Sequence, residues 1–396
     1  MRILALTSIL TTLAILAAAC GDNAATDSAT VDIDKLDAGN YPTTPIDIET
    51  TRTPMSAVAR ESIKIGKATP LPVDYDGRFR FAPLHPARVN RVTPEEPPYF
   101  EGTKIEKSQF AAEIPGLIAG WRASANRRDE LGRGRSIETF TLRFGDSNLA
   151  RNAATKLLER TPGDPFEGVS GRPDAQSKIT QTDALGVTAL RTFLVQNDML
   201  LYIQIYDPLS RPFDPVDNAG ITKSYLDKQL IMLREYSPTP TAELERLPLD
   251  NEGLLSKTLP RDKPLSGAAV YPAHAALFLS ERPAALSAAF ADANVDYVAV
   301  NGATVYRAAD EAAAKRLMAA MENGAFNQTG LVDVEAPANL TVAHCYDLDP
   351  NLDVSGLNST RCLVSVGRYV ASVSGNNIQD VRQRIAAQYK LLATAG

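Results

Sequence analysis

The two halves of this chain repeat the same order of hydrophobic patterns, and this order limits the possible folds more than any other feature of the sequence. Alternating apolar and polar residues predict strands, and apolar residues three and four positions apart predict helices. The first half predicts a strand at residues 136–144, a helix at 148–160 behind Asp146 as N-cap, a hairpin at 187–195 and 199–206, and a helix at 223–236.

The second half shows the same succession of elements. It predicts a strand at 295–300 that continues at 304–306, a helix at 310–323, strands at 340–346, 362–366 and 369–373, and a closing helix at 378–392. Antiparallel hairpins with helices between them are typical of α+β layers. We therefore expect an α+β fold with two related domains, each an antiparallel sheet with helices packed on one face. The prolines of residues 237–241 predict the joint between a domain at 32–240 and a domain at 241–396.

The overall charge argues against one class of partner. The formal net charge is −6 and the isoelectric point is near 5.3. Nucleic-acid binding requires a concentrated positive surface, so we expect no nucleic-acid partner.

The first twenty residues have the pattern of an export signal. After Arg2, residues 3–19 carry no charge and end in three alanines before Cys20. Such a run is marginal for a membrane span and is typical of a signal-peptide core. The stretch Leu16-Ala-Ala-Ala-Cys20 resembles a bacterial lipobox, which directs lipid transfer to the thiol and cleavage before it. We expect a signal peptide at 1–19, lipidation of Cys20, and a protein anchored through this lipid to the extracytoplasmic face of the cell membrane. An ordinary secretory peptide and an uncleaved anchor remain alternatives.

The residues after Cys20 predict a tether. Residues 21–50 contain seven acidic side chains and a single lysine, with many small polar residues. At least residues 21–30 have too little apolar surface to order themselves. We therefore expect residues 20–31 to form a lipidated, flexible link to the folded part.

The remaining two cysteines predict a disulfide. With Cys20 committed to lipid, Cys345 and Cys362 are an even pair in an exported protein. Such a pair in an oxidising compartment most simply forms a disulfide. Closing a loop of this size stabilises the fold by about 3 kcal/mol in the chain-entropy model.

One segment carries a family resemblance. Residues 35–45, Lys-Leu-Asp-Ala-Gly-Asn-Tyr-Pro-Thr-Thr-Pro, resemble the opening signature of a family of uncharacterised cell-envelope lipoproteins from actinobacteria of the mycolic-acid-bearing group. The resemblance extends to the lipobox cysteine, the two-part folded region and the C-terminal cysteine pair. It implies a location and an architecture, and it assigns no activity to any residue. Physically, Gly39-Asn40 reads as a turn, with Tyr41 packing on the domain.

The search for chemical motifs finds no catalytic, cofactor or metal signature. The histidines His85, His274 and His344 lie apart in sequence, and the neighbours His344 and Cys345 point to opposite faces of a strand. Residues 347–353 place oxygen ligands at alternate positions, as calcium loops do, but Leu352 and Asn358 replace the required glycine and glutamate. We interpret this segment as a solvated acidic loop.

Residues 75–81 alternate arginines with aromatic residues. This pattern, which continues to His85, Arg88 and Arg91, suits an anionic glycan or a lipid headgroup through charge and stacking. It equally suits an edge strand in which Phe faces inward and Arg faces water. We favour the structural interpretation.

These observations favour a non-enzymatic function. We expect a membrane-anchored envelope lipoprotein with a binding or scaffolding role, without cofactor, that contacts the membrane through its lipid and binds an envelope ligand or protein partner. A groove between two related domains is a favoured place for a ligand. The alternatives are a secreted hydrolase of envelope lipid or glycan, with His274 or His85 as its best residues, and a mechanical component without a pocket.

Overall fold

The computed structural model describes residues 31–82, 90–128, 134–182, 187–208, 210, 214–261, 268–325, 330–349, 351 and 360–394. The predicted signal peptide, Cys20, and every residue of the predicted tether except Val31 lie outside these ranges. Within them, no helix combines the length and the apolar character needed to cross a membrane.

The first half of the chain forms an antiparallel sheet with five helices. The strands are β1 (Arg91–Val92), β2 (Leu117–Asn126), β3 (Ser136–Phe144), β4 (Asp164–Phe166), β5 (Gln176–Thr182), β6 (Val187–Gln196) and β7 (Met199–Asp207). The helices are α1 (Pro54–Lys67), α2 (Pro72–Tyr75), α3 (Phe110–Glu113), α4 (Ser147–Arg160) and α5 (Pro215–Leu233). We call this sheet with its helices the N-terminal unit, and these counts refer to the described ranges.

The second half forms another antiparallel sheet. Its strands are β8 (Ala269–Pro272), β9 (Tyr297–Val300), β10 (Thr304–Arg307), β11 (Leu331–Val334), β12 (His344–Leu348), β13 (Thr360–Val366) and β14 (Tyr369–Gly375). Its helices are α6 (Ala273–Leu277), α7 (Pro283–Asp292), α8 (Glu311–Ala320) and α9 (Ile378–Ala393). We call this part the C-terminal unit. The α+β fold class and the arrangement in two sheet-containing units are confirmed.

The two sheets have the same strand order. The first sheet runs β1-β2-β3-β7-β6-β5-β4, and the second runs β8-β9-β10-β14-β13-β12-β11. In each, a helix (α4 or α8) follows the third strand, and another (α5 or α9) follows the last strand. The predicted repeat of strand, helix, hairpin and helix is therefore present as a repeated topology.

The helices cover both faces of each sheet, which differs from the expected single face. Phe140 and Leu142 of β3 pack with α4, whereas Ile137 of the same strand packs with α5. In the C-terminal unit, Tyr306 packs with α8 and Val305 with α9. Neighbouring residues of a strand point to opposite faces, so the two helices of each repeat lie on opposite sides. The sequence pattern concealed this because the α5 side of β3 carries mostly polar side chains, such as Thr141, which the fold buries.

Local capping signals explain where several helices begin. The Asp146 carboxylate accepts hydrogen bonds from the Asn148 and Leu149 backbone N–H groups at 2.7 and 2.9 Å, as expected for the predicted N-cap. Asp214 caps α5 in the same way, with Pro215 at its first position. Helix α5 therefore begins eight residues before the predicted start at 223. The apolar pattern did not reveal this start, because the first turns bury the polar side chains of Asn218 and Thr222.

The structure adds a helix and moves a strand relative to the sequence-based prediction. Helix α1 was not predicted, although Thr53 and Ser56 form a capping box ahead of it. The strand predicted at 340–346 begins at His344, because Asn339 adopts a left-handed conformation and the next residues form turns.

The segment from Val31 to Ile48, which we call the N-terminal strap, lies on the C-terminal unit. Leu36, Ala38 and Ile48 are buried in the core that contains α9. The backbone N–H of Ile46 donates to the Ser256 carbonyl at 3.2 Å. The predicted domain at 32–240 therefore differs from the spatial division, since its first residues pack with the second half.

The two units share one apolar core at their junction. Ile63 and Ile65 of α1 and Trp121 of β2 pack with Tyr271 of β8 and with α6, α7 and α8. Trp121 is completely buried and meets Phe278 edge-on, with ring centroids 5.5 Å apart. The junction considered as a ligand groove is therefore filled by side chains.

Candidate ligand-binding site

The structure contains the disulfide between Cys345 and Cys362. The two residues lie directly opposite each other on β12 and β13, and both are buried. The third predicted site residue, Cys20, lies outside the described residues.

The histidines do not converge. His274 Nε2 forms a hydrogen bond with the Thr69 carbonyl oxygen at 2.7 Å, and its ring meets Phe278 edge-on, so this histidine links the two units. His344 Nδ1 lies 3.0 Å from the Glu322 carboxylate on a half-exposed surface. His85 lies outside the described residues. These contacts of His274, with a backbone carbonyl and an aromatic ring, give no support to its role in the hydrolase alternative.

The acidic segment at 347–353 uses its carboxylates within its own loop. Asp347 accepts from Thr360, and Asp349 accepts from Asn351 at 2.9 Å. Leu352 and Asp353 lie outside the described residues. In the part of the chain that the structure describes, no group of three His, Cys, Asp or Glu side chains is placed to hold a metal ion.

The alternating segment 75–81 agrees with the structural interpretation in which side chains are buried, but it does not form an edge strand, because Tyr75 ends α2 and a turn follows. Phe79 is fully buried, whereas Arg78 and Arg80 are exposed. The backbone of Phe81 forms a β-bridge with Asn126 at the end of β2. Arg88 lies outside the described residues.

A surface cavity lies beside this segment, and we call it the α2–α5 cavity. It has a volume of about 400 Å³ and is bounded by the end of α2 and by one face of α5. Its lining residues are Tyr75, Asp76, Arg78, Asp217, Gly220, Ile221 and Ser224. The four residues from α5 have the spacing of a single helical face.

An ion-pair cluster lies beside the α2–α5 cavity and lines it through Asp76, Arg78 and Asp217. Asp76 is held between Arg78 at 2.7 Å and Arg127 at 2.9 Å. Asp217 contacts Arg135, which also reaches Asp207 at 2.6 Å. These charges join α2, α5 and the ends of β2, β3 and β7, so the wall of the cavity is rigidly held. We call these six residues the ion-pair cluster.

Burial and charge act in opposite directions on this cluster. Burial raises the pKa of Asp76, but the hydrogen bonds from Arg78 and Arg127 outweigh it and lower that pKa to about 2. Burial lowers the pKa of Arg127 from its ordinary value, and the ion pair with Asp76 opposes this effect. Both groups are charged at neutral pH, so the cavity carries fixed charges of both signs.

Tyr75 provides a polar group without a partner. The side chain is 9% exposed, and its hydroxyl forms no hydrogen bond among the described residues. Its ring meets Tyr225 edge-on at 5.4 Å. This hydroxyl is shielded from solvent, and leaving it unsatisfied costs about 1–3 kcal/mol.

Gly220 keeps the cavity open. A β-carbon built on this glycine would meet no atom within 4 Å, so the fold does not require glycine here. A glycine inside a helix costs about 1 kcal/mol relative to alanine. The open space beside Gly220 is part of the α2–α5 cavity.

A second cavity of about 470 Å³ lies under the N-terminal strap. It is lined by Asn40, Tyr41, Pro42, Pro260, Arg261, Asp380 and Gln383. Within it, Tyr41 donates to Asp380, and Gln383 donates to Asp37 at 3.1 Å. Gly39 has a positive φ of 55°, and a β-carbon there would collide with Gln383. The signature residues 35–45 thus hold the strap against α9. Tyr41 packs on this unit, as expected from the sequence.

Sequence patterns did not identify the α5 side of the candidate site. The N-cap pattern Asp214-Pro215 could have predicted the start of this helix, and Asp217, Gly220 and Ser224 follow it at helical spacing. The sequence could not show that they lie near Tyr75, because about 140 residues separate them and only the folded sheet brings them together.

Comparison with known proteins identifies the family. The N-terminal domain of unknown function DUF7373 matches residues 48–249, and its C-terminal domain matches residues 254–395. The chain belongs to the DUF7373 family. No curated protein matches this DUF7373 protein. Among solved structures, the extracellular domain of PknH from Mycobacterium tuberculosis is similar, with a TM-score of 0.31 and 11% identity, over 48% of this chain and 99% of that one. A likeness this weak carries no functional inference.

Proposed function

We propose that this DUF7373 protein is a lipoprotein of the actinobacterial cell envelope, anchored at Cys20 on the extracytoplasmic face, with a non-enzymatic binding role. The observation that carries the location is the charge-free run that ends at Leu16-Ala-Ala-Ala-Cys20. The buried Cys345–Cys362 disulfide supports it, since structural disulfides are typical of oxidising compartments outside the cytoplasm.

In this proposal, the N-terminal strap limits the distance between the C-terminal unit and the membrane. Ten residues, and therefore eleven residue-to-residue steps, separate Cys20 from Val31, which packs on the core of the C-terminal unit. An extended chain of this length spans at most about 40 Å. A protein acylated at Cys20 therefore keeps its C-terminal unit within this distance of the membrane.

The binding role is supported by the α2–α5 cavity. It combines fixed charges, the hydroxyl of Ser224 and open space beside a helical glycine. Pockets with a few well-held polar groups are typical of binding sites.

The location is tested by the intact mass of protein extracted from membranes of an actinobacterial host, measured with and without a reductant. We expect a mature chain that begins at Cys20, carries a diacylglycerol group, and gains two hydrogens on reduction. Cys20→Ser removes the acyl acceptor, so this variant should leave the membrane fraction.

The double variant Cys345→Ser/Cys362→Ser is the matched control, because it removes two thiols and keeps Cys20. It should remain acylated and lose only the mass change on reduction. Recovery of the wild-type chain from cytosol with residues 1–19 attached would contradict the proposed location.

A further inference from the structure

We propose that the α2–α5 cavity binds a neutral carbohydrate through two adjacent hydroxyl groups of a sugar ring. This inference deepens the proposed binding role, on which it rests, and it does not depend on the lipid anchor. It stands on the charge balance of the cavity, on the donors and acceptors that remain available, and on its open wall.

The charge balance favours a neutral ligand. The ion-pair cluster contains three arginines and three aspartates, so its formal charge is zero. An anion would have to compete with Asp76 and Asp217 for the arginines, and a cation would have to compete with the arginines for the carboxylates. Separating such partly buried pairs is costly, because each charge left behind loses its partner.

The cluster offers a ligand one hydrogen-bond donor and one hydrogen-bond acceptor. Arg78 uses Nε and Nη2 to bind Asp76, and its Nη1 forms no hydrogen bond within the described ranges. Asp217 accepts from Arg135 through Oδ2, whereas its Oδ1 lies 3.6 Å from Arg78 Nη2. Arg78 Nη1 can donate and Asp217 Oδ1 can accept.

Adjacent sugar hydroxyls match this arrangement. Each hydroxyl both donates and accepts, so one can accept from Arg78 while its neighbour donates to Asp217. Hydrogen bonds to charged groups are stronger than those between neutral groups. The Ser224 hydroxyl lies in the same wall and adds a neutral partner.

The open wall at Gly220 provides room for the ring. A side chain at this position would extend into the cavity, since nothing lies within 4 Å of a β-carbon built there. Ile221 is buried, so the accessible lining is formed mainly by polar side chains. We therefore expect the sugar ring to be held by hydrogen bonds from its hydroxyls to the cluster.

The test is calorimetric titration of the detergent-solubilised full chain. The neutral probes are methyl pyranosides and short oligosaccharides of glucose, mannose, galactose and arabinose. The charged probes are glucuronate, glucose 6-phosphate and inorganic phosphate. We expect saturable binding of at least one neutral probe, and binding of the charged probes at least tenfold weaker.

Three variants separate the cavity from the rest of the surface. Gly220→Leu fills the open wall and should lower the affinity at least tenfold. Ser224→Ala removes one lining hydroxyl, so it should fold normally and lower the affinity about fivefold, the effect of one hydrogen bond. Lys228→Leu places the same side chain as Gly220→Leu on an exposed position of α5 and should bind like the wild type.

Three results would overturn the inference. They are no saturable binding of any neutral probe, binding of phosphate or glucuronate as tight as that of the best neutral probe, and unchanged affinity in folded Gly220→Leu. Each would leave acylation of Cys20 unaffected, so a failure here is distinct from a failure of the proposed location.

Discussion

Asp76 illustrates how this protein keeps a carboxylate ionised below its surface. The side chain is only 7% exposed, yet two arginines hold its pKa near 2, well below the ordinary value of 3.8. A group with a lowered folded-state pKa contributes stability that is fully present above the unfolded pKa. This contribution is lost as the pH falls from about 4 towards 2.

We expect Asp76→Asn to destabilise the protein at pH 7 and to reduce its sensitivity to acid. Loss of the charge leaves Arg127 with only its longer ionic contact, 3.8 Å from Asp217, at a cost of about 2 kcal/mol. The free energy of unfolding, measured in urea from pH 7 to pH 2, should then fall less steeply below pH 4 than in the wild type.

Asp164→Asn is the matched control, because Asp164 is exposed on β4. It should follow the wild-type pH profile. A pH profile of Asp76→Asn parallel to that of the wild type would contradict the assignment of acid sensitivity to this carboxylate.

Another buried carboxylate acts across the N-terminal unit. Glu61 of α1 accepts from Arg143 at 2.8 Å and from the Thr239 backbone at 3.1 Å. Burial raises the pKa of Glu61, but the hydrogen bonds from Tyr236 and Thr239 outweigh it, so the net shift is downward. This carboxylate therefore joins α1 and β3 to the chain after α5.

At the scale of elements, the two units repeat particular positions as well as topology. Arg143 lies one residue before the end of β3, and Arg307 is the last residue of β10. Each lies opposite the first residue of the strand that follows the hairpin turn. Three residues later, Asp146 and Asp310 cap the following helix. The hairpin turns also match, since Asn197 and Gly367 both have positive φ, at 56° and 51°.

The same register aligns the disulfide with a hydroxyl pair. Cys362 lies four residues before the end of β13, and Thr192 lies four residues before the end of β6. Their cross-strand partners are Cys345 and Ser177. The buried Ser177 and Thr192 hydroxyls form a hydrogen bond of 2.7 Å in the place that the disulfide occupies in the other unit.

We expect the double variant Ser177→Cys/Thr192→Cys to form a second intrachain disulfide in air. The two positions are directly paired, and their side-chain oxygens already face each other. Closing the loop should stabilise the protein by about 3 kcal/mol in the chain-entropy model. Intact mass with thiol alkylation detects the bond, and urea denaturation gives its effect.

The single variant Ser177→Cys provides the control, since it adds a thiol without a partner. It should retain one alkylatable thiol. Two free thiols in the folded double variant would show that the two units differ in geometry at this position.

At the scale of the whole molecule, α1 packs against both units and joins them. It contacts β1 and β2 on one side and β8 and α6 on the other. Gly66 in this helix lies against the ring of Trp121, where a β-carbon would come within 2.5 Å of the indole. The close approach of α1 to β2 therefore requires glycine, and it brings Trp121 into the core shared with the C-terminal unit.

We expect Trp121→Ala to destabilise the whole molecule by about 3–5 kcal/mol, because a large cavity would open in the shared core. Far-UV circular dichroism in urea should show one transition at a lower midpoint. Tyr99→Ala removes an aromatic side chain that is 52% exposed and should change stability by less than about 0.5 kcal/mol. A separate, unshifted transition for part of the molecule would show that the units unfold independently.

The sequence by itself determined the local features of this protein. It predicted the strand at 136–144, the helices behind Asp146 and Asn377, and the α+β repeat, because hydrophobic period and capping depend on neighbouring residues. It also predicted the cysteine pair, because only two thiols remain after Cys20.

Only the tertiary structure decided which faces meet. The placement of helices on both sides of each sheet, the docking of the strap on the second unit, and the meeting of Tyr75 with Asp217 depend on contacts between distant residues. An apolar period shows that a residue is buried but not what covers it. The first turns of α5 also hid their burial, since Asn218 and Thr222 are polar side chains enclosed by the fold.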